Sequence, residues 1–514
     1  MYNPTFESFV KSAEKGNLIP VYREILADTE TPVTALMKLS SRSHAFLFES
    51  VEGGEKWGRY TFLGADPVMT VSIRGQDVFL QREGKKRSLK HRGDPLEVLR
   101  KLLAHYRPAP VEGLPRFYGG AVGFFGYDMV RFFERLPRRT FDNLQTDIAT
   151  FLITDTVLIF DNIRHTIKVV ACVSTEERDD LQALYEEGKE KIEDMIRLIK
   201  DPLEKGDPPK ALKEEISLQS NMTSESFKEI VRRAKEYIAS GDIIQVVLSQ
   251  RFERKNDMNP IDLYRALRYV NPSPYLFYLK LDDLILIGSS PEVMVRLEEG
   301  TVELRPIAGT RRRGETEQED RDLADELLKD PKEKAEHTML VDLGRNDLGR
   351  IAFAGSVQVN KLMAVERYSH VMHLVSTVQA QLASDRDCFD VLRATFPAGT
   401  LTGAPKIRAM EIIDELESSG RGPYGGAVGY FSYSGNMDFG ITIRTMVLKD
   451  GKVFIQAGAG IVADSDPDSE YEETVNKAAG MMQAICLAAS EFEINDAFKK
   501  VQFIRREKND LDDR

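Results

Sequence analysis

The first third of the chain contains short apolar runs that predict β-strands. Between residues 17 and 173 these runs are rich in β-branched and aromatic residues and are broken repeatedly by Gly and Pro. The clearest examples are Ala45–Glu49, Val68–Ile73 and Thr150–Phe160. From about residue 175 to 200 the apolar positions follow a helical period. The stretch 201–218, with Asp-Pro, Asp-Pro-Pro and many charges, predicts a linker.

A second region begins after this linker with an amphipathic helix. Ser226 and Glu229 have the spacing of a capping box, and Gly241 can end the helix. Strands are predicted at Gln245–Phe252, 275–281, 284–288, 293–297, 301–305, 424–433, 437–447 and 452–458. Helices are predicted at 316–343, interrupted at Pro331, and from Asp466-Pro467 to about Glu491.

These patterns divide the chain into four parts. They are an N-terminal region (1–173), a charged helix and linker (174–222), a core (223–492) and a charged C-terminal tail (493–514). The length of 514 residues exceeds what one hydrophobic core usually supports, so we expect several domains or one elaborate one.

One six-residue string occurs in both main regions. Tyr-Gly-Gly-Ala-Val-Gly at 118–123 recurs at 424–429, followed each time by an aromatic-rich continuation. Glycine in a strand often marks close approach of another backbone, so the two regions are expected to contribute similar, closely packed strands. A chance match between Gly-rich strand starts is the alternative.

Composition and charge exclude several classes of protein. The hydrophobic share of 42% and the charged share of 30% are ordinary for a globular protein, and no apolar run reaches about 18 residues. The N-terminus lacks the pattern of a signal peptide, and the three cysteines form no C-x-x-C pair, so a reducing cytoplasm is expected. A net charge of −12 disfavours wholesale nucleic-acid binding, and an anionic substrate would need local cations.

Two Glu-x-x-Glu pairs are candidates for a metal site. Glu333 and Glu336 share one face of a predicted helix, and Glu470 and Glu473 share a face of the last long helix. Such oxygen ligands suit Mg²⁺, which keeps several waters and uses one or two carboxylates together with substrate oxygens. A solvated acidic helix surface is the other interpretation of the same spacing.

Other charged or proton-handling residues stand in apolar surroundings. Arg444 lies in a run otherwise free of charge, where it is either an ion-pair partner or a clamp for a substrate carboxylate. His370 and His373 have i, i+3 spacing, but no thiol or third His lies nearby, so a zinc site is weakly indicated. The alternative interpretation is that each is an ordinary histidine of the protein core.

Two loops rich in small residues could approach an anion closely. The first, Pro397–Lys406, leads into a helix whose N-terminal N–H groups could hold an anion, although it lacks the Walker spacing. The second, Gln456–Ile461, lacks the third glycine of a dinucleotide fingerprint. The residues thus predict a site for a small polyanion without naming it.

Taken in order, these strings resemble the chorismate-utilising enzyme family. The match spans roughly residues 220 to 490, and a weaker one covers the N-terminal region, including 46–50 and 58–64. The strings that carry it are Gln245–Arg251, Ser290–Glu292, Pro306–Arg311, Glu336–Arg350, Tyr368–His373, Gly399–Lys406, Ile443–Arg444, Ala457–Gly460 and Ser465–Lys477. The resemblance implies an α+β fold in which antiparallel β-sheets pack as a sandwich, with helices outside and chorismate in a cleft.

The resemblance also implies a cofactor and a substrate site. Glu336 and Glu473 would bind Mg²⁺, with Glu333 and Glu470 reaching the metal directly or through water. The metal would neutralise the ring carboxylate of chorismate, while Tyr424 and Arg444 hold the enolpyruvyl carboxylate. The implied substrate-binding residues are Gly309, Thr310, Thr400, Tyr424, Arg444, Gly458, Ala459, Gly460 and Lys477.

A reaction sequence follows from the same resemblance. Glu292 would be the general acid, because loss of the C4 hydroxyl needs a proton and a buried Glu can stay protonated. Ammonia would add at C2 to give aminodeoxyisochorismate, and His373 would assist elimination of pyruvate to leave anthranilate. This is the first committed step of tryptophan biosynthesis.

Two positions divide the family. Isochorismate and salicylate synthases have a Lys base where this chain has Gln245, and aminodeoxychorismate synthases have a Lys nucleophile where it has Ala308. With neither Lys present, the resemblance favours direct amination by ammonia, and Gln245 is grouped with the catalytic residues.

The resemblance implies partners as well. No cysteine lies in a Gly-x-Cys-x-Gly turn, so a separate glutamine amidotransferase subunit is expected to supply ammonia, in a heterotetramer of two large and two small subunits. Feedback inhibition by L-tryptophan is implied too. Its site would comprise Glu49, Ser50, Arg59, Asn271, Pro272, Pro274, Tyr275 and Leu276, or these are ordinary strand and turn residues.

Two rival functions remain at this stage. The nearer one is another chorismate enzyme that makes aminodeoxychorismate or isochorismate. The other, from a different class, is a non-catalytic tryptophan-sensing protein on the same fold. The joint presence of Glu292, Glu336, His373 and Glu473 disfavours the sensor, which has no need of that set.

Overall fold

The structure, a computed structural model, describes most of the chain. The residues it describes are 1–514 without 51–57, 138–139, 141–142, 177–179, 204–215, 369–370, 494–500 and 505–514. Among them the helices are α1 Phe6–Ala13, α2 Pro32–Lys38, α3 Leu96–Ala104, α4 Leu181–Lys200, α5 Ser224–Ala239, α6 Pro260–Val270, α7 Glu317–Lys329, α8 Pro331–Gly349, α9 Cys388–Thr395, α10 Lys406–Leu416 and α11 Pro467–Ala489.

The strands fall into two sheets. In the N-terminal half they are β1 Tyr2–Asn3, β2 Leu18–Leu26, β3 His44–Glu49, β4 Tyr60–Ala65, β5 Met69–Arg74, β6 Asp77–Arg82, β7 Lys85–Lys90, β8 Gly120–Phe125, β9 Ala149–Thr154, β10 Thr156–Asp161, β11 Thr166–Ser174, β12 Ile216–Ser220 and β13 Gln245–Lys255. In the C-terminal half they are β14 Tyr275–Leu281, β15 Leu284–Ser290, β16 Val293–Glu298, β17 Thr301–Leu304, β18 Ile307–Arg312, β19 Gln358–Arg367, β20 Val371–Gln381, β21 Gly403–Ala404, β22 Ala427–Ser432, β23 Met437–Ile441, β24 Thr445–Lys449, β25 Lys452–Ile461 and β26 Val501–Ile504.

Each sheet combines strands from both ends of the chain. The larger, 14-stranded sheet has the order β1-β2-β11-β10-β4-β3-β14-β15-β24-β25-β13-β12-β26, with β21 beside β13. The smaller, 12-stranded sheet has the order β18-β20-β17-β16-β23-β22-β8-β9-β5-β6-β7, with β19 beside β20. The described neighbours pair antiparallel except β12 and β26. The predicted α+β fold of antiparallel sheets is confirmed.

Apolar side chains form layers on both faces of the larger sheet. Phe124, Phe277 and Phe431 belong to one buried cluster that joins strands of the two sheets. Tyr264 of α6 and Met481 of α11 belong to another, in which helices cover the outer face of the larger sheet. Since apolar burial is the main favourable contribution to folding, these layers hold the sandwich and its helices together.

The repeated Tyr-Gly-Gly-Ala-Val-Gly string forms two neighbouring strands. Strand β8 pairs with β22 in register, with Gly123 opposite Gly429. A Cβ atom at Gly123 would lie 2.0 Å from the carbonyl oxygen of Thr150, and one at Gly429 would lie 2.1 Å from that of Asp438. The prediction of closely packed strands is confirmed, and the pairing unites the N-terminal and C-terminal regions.

Several predicted boundaries are wrong. Helix α5 is capped by Thr223, whose Oγ1 accepts from Ser226 N at 3.1 Å, rather than by Ser226. The predicted strand 424–433 begins only at Ala427, and the last helix ends at Ala489. The end of the predicted linker 201–218 is strand β12. Residues 204–215 and most of the tail 493–514 lie outside the described residues.

Two apolar runs that were predicted as single strands each form two strands, one in each sheet. The run Thr150–Phe160 is divided between β9 of the smaller sheet and β10 of the larger one. The run 437–447 is divided between β23 and β24 in the same way. The changes of sheet occur at Asp155 and at 442–444, which are too short to interrupt the strand pattern of the sequence.

No helix among the residues that the structure describes is long and apolar enough to cross a membrane. The three cysteines, Cys172, Cys388 and Cys486, are free and buried.

Candidate active site

Two connections between the sheets lie side by side and place two charged residues. Glu292 lies between β15 and β16, and Arg444 lies between β23 and β24. The connections are hydrogen bonded, because Ser289 N donates to the carbonyl of Arg444 at 3.1 Å and Ile441 N donates to that of Glu292 at 3.0 Å. Residues 155 and 149 positions apart in the sequence are thereby held together.

The Arg444 turn has an unusual backbone. Its φ of +50° lies in the left-handed region, which side chains other than glycine rarely adopt. The guanidinium donates from Nη1 to the carbonyl of Lys477 at 2.6 Å. Among the described residues it forms no ion pair, and burial lowers its pKa. Of the two interpretations, the clamp for a substrate carboxylate therefore fits better than the structural ion pair.

Helix α11 supplies a second cation beside this turn. Lys477 Nζ donates to the carbonyl of Gly458 at 3.0 Å and lies 2.6 Å from Glu473 Oε1 one helical turn earlier. Strand β25 therefore meets the last helix at Gly458, and the ammonium group stands between a glycine backbone and a carboxylate.

The glycines of β25 allow two side chains to approach closely. A Cβ atom at Gly458 would lie 2.7 Å from the hydroxyl of Tyr424, and one at Gly460 would lie 2.6 Å from Gln245 Nε2. Both distances are shorter than van der Waals contact. Ala459, between them, is fully buried within a separate apolar cluster, so only its backbone could face the site.

Glu292 is half-buried, and neighbouring charges act on the pKa of its carboxyl group in opposite directions. Burial raises its pKa above the usual range, and Glu336 raises it further. The hydroxyl of Thr400 and the cations Lys477 and Arg444 oppose this rise. A carboxyl group in such surroundings can hold a proton near neutrality and release it to a bound substrate.

Four carboxylates lie on α8 and α11. Gln245 Nε2 donates to Glu336 Oε1 at 3.3 Å, and Arg311 Nη1 donates to Glu333 Oε1 at 3.4 Å. Burial raises the pKa of Glu333 and of Glu470, and the neighbouring carboxylates Glu336 and Glu473 add to the respective rises. Lys332 at the start of α8 lowers the pKa of Glu470, so these helix ends face one another.

The carboxylates suit a metal ion that is completed by its substrate. No group of three or more acidic, His or Cys side chains within the described ranges is placed to hold a metal alone. Mg²⁺ prefers oxygen ligands and uses one or two carboxylates with waters and substrate oxygens. The half-buried Glu333 and the buried Glu470 both have raised pKa values, which a cation between them would lower, so the residues present fit Mg²⁺.

His373 lies on β20 opposite a glycine turn of β18. Its Nδ1 is 3.1 Å from both Thr310 Oγ1 and the carbonyl oxygen of Gly309. Gly309 has a φ of +66°, and a Cβ atom there would lie 3.0 Å from Glu333 Oε2. The histidine is thus tied to the turn that touches the α8 carboxylates. His370, the other half of the predicted pair, lies outside the described residues.

A separate cavity lies between the sheets, with a volume of about 480 Å³ when the solvent at its open mouth is included. Five of the predicted regulatory residues line it: Glu49, Ser50, Pro274, Tyr275 and Leu276. The other three, Arg59, Asn271 and Pro272, are not part of its described wall. Arg59 pairs with Asp161 at 2.9 Å, and the Asn271 carbonyl accepts from Ser289.

Glu49 forms one end of this cavity. Its buried carboxylate accepts from Arg268 Nε at 2.6 Å and from the hydroxyl of Tyr264. At the floor, Tyr275 donates to Asp438 Oδ1 at 2.5 Å and Arg296 donates to Asp438 Oδ2. The cavity therefore offers both charged and aromatic surface to a ligand.

Sequence reasoning missed the floor of this cavity. Arg296 and Asp438 are direct register partners on β16 and β23 and are both largely buried. The signal was available, because each is the single charged residue within an apolar strand run and their charges are opposite. The pairing of the two strands was the missing information.

Comparison with known proteins gives a consistent result. Residues 43–483 match the model of a family described as chorismate binding enzyme. The chain is 49% identical over 499 residues to anthranilate synthase component 1 of Aquifex aeolicus, covering 96% of this chain and 99% of that protein. For the same component of Acetivibrio thermocellus the identity is 48% over 491 residues, covering 94% and 99%.

A solved structure agrees with these relatives. The crystal structure of anthranilate synthase component I from Streptococcus pneumoniae superposes with a TM-score of 0.74 at 37% identity. The superposition covers 89% of this chain and 98% of that one.

Proposed function

This chain belongs to the chorismate-binding enzyme family, and we propose that within it the chain is the large subunit of an anthranilate synthase. It converts chorismate and ammonia to anthranilate and pyruvate through aminodeoxyisochorismate, a lyase reaction that begins tryptophan biosynthesis. The observation that carries this proposal is the half-buried Glu292, with its raised pKa, beside Arg444 and Lys477, together with Gln245 and Ala308 at the positions where other family members use lysine.

The substrate is held by its carboxylates in this proposal. Arg444 and Tyr424 bind the enolpyruvyl carboxylate, with Lys477 and the Gly458–Gly460 backbone beside them. Support comes from the arrangement of these groups, because Tyr424 reaches over Gly458 and Lys477 already contacts its carbonyl. A guanidinium that forms no ion pair among the described residues is well suited to a bidentate contact with an incoming carboxylate.

Proton transfer is assigned to Glu292 and His373. Glu292 donates its proton to the departing C4 hydroxyl while ammonia bonds to C2, and the double bonds of the ring shift between them. His373 then assists removal of the C2 proton as the C3–O bond breaks and pyruvate leaves. The raised pKa of Glu292 supports the first assignment, and the fixed position of His373 against Gly309 and Thr310 supports the second.

Mg²⁺ is the proposed cofactor. Glu336 and Glu473 would hold it, with Glu333 and Glu470 as direct or water-mediated ligands. When bound it supplies positive charge to the ring carboxylate of chorismate. Isothermal titration of Mg²⁺ into the wild-type chain with chorismate present tests this assignment, and binding that survives unchanged in Glu336→Gln and Glu473→Gln would refute it.

A partner subunit is also proposed. The relatives are called component 1, and a glutamine amidotransferase, component II, would deliver ammonia to this chain in the cytoplasm. The free, buried cysteines fit a reducing compartment. A heterotetramer of two large and two small subunits is the proposed assembly, which sedimentation of the co-expressed pair would measure.

Feedback inhibition by L-tryptophan is assigned to the cavity that Glu49 and Tyr275 line. A buried carboxylate can accept hydrogen bonds from the amino group, and the aromatic wall suits the indole ring. Calorimetry with tryptophan measures the binding. If tryptophan binds while no product forms from chorismate, the chain is a sensor instead.

Identification of the product tests the proposed reaction directly. Wild-type chain, chorismate, Mg²⁺ and an ammonium salt should give fluorescent anthranilate and an equal amount of pyruvate, separated by chromatography. An unaromatised amino or hydroxy product would instead assign the chain to the aminodeoxychorismate or isochorismate synthases.

A further inference from the structure

A small cavity lies behind the residues that face the substrate. We call it the inner cavity; it is enclosed by β24 and β25 of the larger sheet and by the turn that leads to Arg444. Tyr424, Thr442 and Gln456 are in its wall. It has room for about one water-sized molecule. No function assigned above uses it.

Hydrogen bonds fix the orientation of the Gln456 amide in this wall. Glu417 Oε1 accepts from Ser249 N at 2.9 Å and from Ser249 Oγ at 2.7 Å, so the hydroxyl proton of Ser249 is committed. Gln456 Nε2 donates to the same Oγ at 2.9 Å. The amide oxygen of Gln456 must therefore be the atom that remains for another partner.

In the wall of the inner cavity, two uncharged side chains each have one buried polar atom with no hydrogen-bond partner among the described residues. They are Gln456 Oε1 and Thr442 Oγ1. The relative exposure of Gln456 is 8% and that of Thr442 is 0%. Buried polar atoms are nearly always hydrogen bonded to protein or to ordered water. One molecule in the inner cavity would satisfy both.

The chemistry of the wall restricts the occupant. Gln456 Oε1 is an acceptor, so an occupant must donate a proton, which excludes simple anions. The guanidinium groups of Arg251 and Arg421, also in the wall, disfavour a cation. Val447 and Phe454 add apolar surface. A small, neutral hydrogen-bond donor is what remains.

We propose that the inner cavity is a binding site for one small neutral hydrogen-bond donor, a chemistry that water and ammonia share. Thr442 lies two residues before Arg444, and Tyr424 both lines the cavity and lies against Gly458, so an occupant adjoins the substrate-binding pair. Ammonia as the occupant rests on the proposed function, whereas water does not.

Isosteric variants test the site. Thr442→Val and Gln456→Met remove the two polar atoms, and Thr442→Ser is the matched control that keeps the hydroxyl. The melting temperature and the KM values for ammonia and for chorismate are measured for all three. In a crystal structure of the wild-type chain, we expect a density peak within hydrogen-bond distance of both Thr442 Oγ1 and Gln456 Oε1.

The two sources give different results. If ammonia occupies the site, its KM rises by about three- to tenfold in the Val and Met variants, as for one lost hydrogen bond, while the chorismate KM is unchanged. If water occupies the site, both KM values are unchanged in every variant. The melting temperature of Thr442→Val then falls by about 1–3 °C, whereas Thr442→Ser melts like the wild type.

An empty cavity would overturn the proposal. The signs would be no density peak, unchanged KM values, and a Thr442→Val variant at least as stable as the wild type, because deleting an unsatisfied polar atom costs nothing. Gln456→Met also loses the hydrogen bond to Ser249, so its melting temperature falls whether or not the cavity is occupied. A wild-type chain that forms no anthranilate would refute the proposed function alone. The density and the melting temperatures would then still decide whether the site exists.

Discussion

At the scale of single residues, Glu292 is the one whose protonation the reaction depends on. Replacement of Glu292 by Gln keeps the shape but removes the proton that the C4 hydroxyl needs. We expect kcat to fall by about 10²- to 10⁴-fold, the usual contribution of a general acid. The measurement is anthranilate fluorescence at saturating chorismate and ammonium.

The control for this variant is Glu298→Gln, at the exposed end of β16. It should leave kcat unchanged, and near-wild-type turnover of Glu292→Gln would refute the assignment of the acid.

The dependence of the rate on pH carries a second signature of the same residue. Burial raises the pKa of Glu292, and the proton-donating form exists below that pKa. The rate should therefore fall as the pH rises through this raised pKa, and the fall should be absent from the residual activity of Glu292→Gln. The measurement is a pH profile of kcat with free ammonia held constant.

Gly458 tests how closely Tyr424 must approach the strand. In Gly458→Ala the new methyl group would meet the hydroxyl of Tyr424 at 2.7 Å and the Leu248 carbonyl oxygen at 2.9 Å, so the tyrosine must shift. We expect the KM for chorismate to rise by about tenfold, as for the loss of one hydrogen bond to a charged group.

Gly480→Ala on α11 is the matched control, because its methyl group would have no neighbour within 4 Å. Its KM should equal that of the wild type. Equal KM values in Gly458→Ala would show that Tyr424 does not bind substrate.

The site residues were predicted from the motifs shared with the family, not from local spacing. Spacing alone left Arg444 divided between an ion pair and a clamp. Its position in a turn between sheets, with φ of +50°, depends on long-range strand pairing that a local pattern does not contain. The same applies to Arg296 and Asp438, whose opposite charges had meaning only once β16 and β23 were neighbours.

At the scale of elements, one largely buried ion pair joins α8 to the start of α10, which follows the Thr400 loop. Lys406 Nζ lies 2.8 Å from Asp347 Oδ2, and the two side chains are 16% and 14% exposed. Asp347→Asn leaves the buried ammonium without its counter-charge. We expect the free energy of unfolding to fall by about 3–5 kcal/mol, as measured by urea denaturation.

Two further variants separate charge from packing at this pair. The double change Asp347→Leu with Lys406→Met removes both charges and should recover most of the loss, because apolar replacements of buried pairs are often neutral. In the exposed pair Lys452–Glu253, Glu253→Gln should cost no more than about 1 kcal/mol. A fall of that small size in Asp347→Asn would show that the pair is unimportant.

Element types were largely predictable, whereas some boundaries were not. The break at Pro331 between α7 and α8 follows from a ring that has no N–H and was predicted. The changes of sheet within Thr150–Phe160 and 437–447 were missed. These connections are only one and three residues long, Asp155 and 442–444, so the apolar pattern resumes almost at once on the other side.

At the scale of the whole molecule, the family strings predicted the architecture and periodicity predicted its parts. The repeated Tyr-Gly-Gly-Ala-Val-Gly string predicted that two strands far apart in the sequence are similar and closely packed. It could not state that β8 and β22 are direct neighbours, or that β3 lies beside β14. The paired strands lie about 230 to 300 residues apart in the sequence, so no local sequence pattern specifies which strands become neighbours.

The division of the chain at 174–222 makes a prediction about folding. The sequence predicts 223–492 as a separate core. In the structure, however, β14 of that core pairs with β3 and β22 pairs with β8, and both partners belong to the N-terminal region. A core expressed alone would expose the edges of these strands and the apolar faces that Phe124 and Phe46 cover. We therefore expect residues 223–514 alone to aggregate and to lack a cooperative thermal transition.

Co-expression with residues 1–222 should restore a soluble complex that forms anthranilate, because the missing strands and the covering side chains return together. The measurements are size-exclusion chromatography and near-ultraviolet circular dichroism of each fragment and of the pair, with the intact chain as the control. A monomeric, cooperatively melting core fragment would show that the boundary is a true domain boundary and that the shared sheets contribute little to its stability.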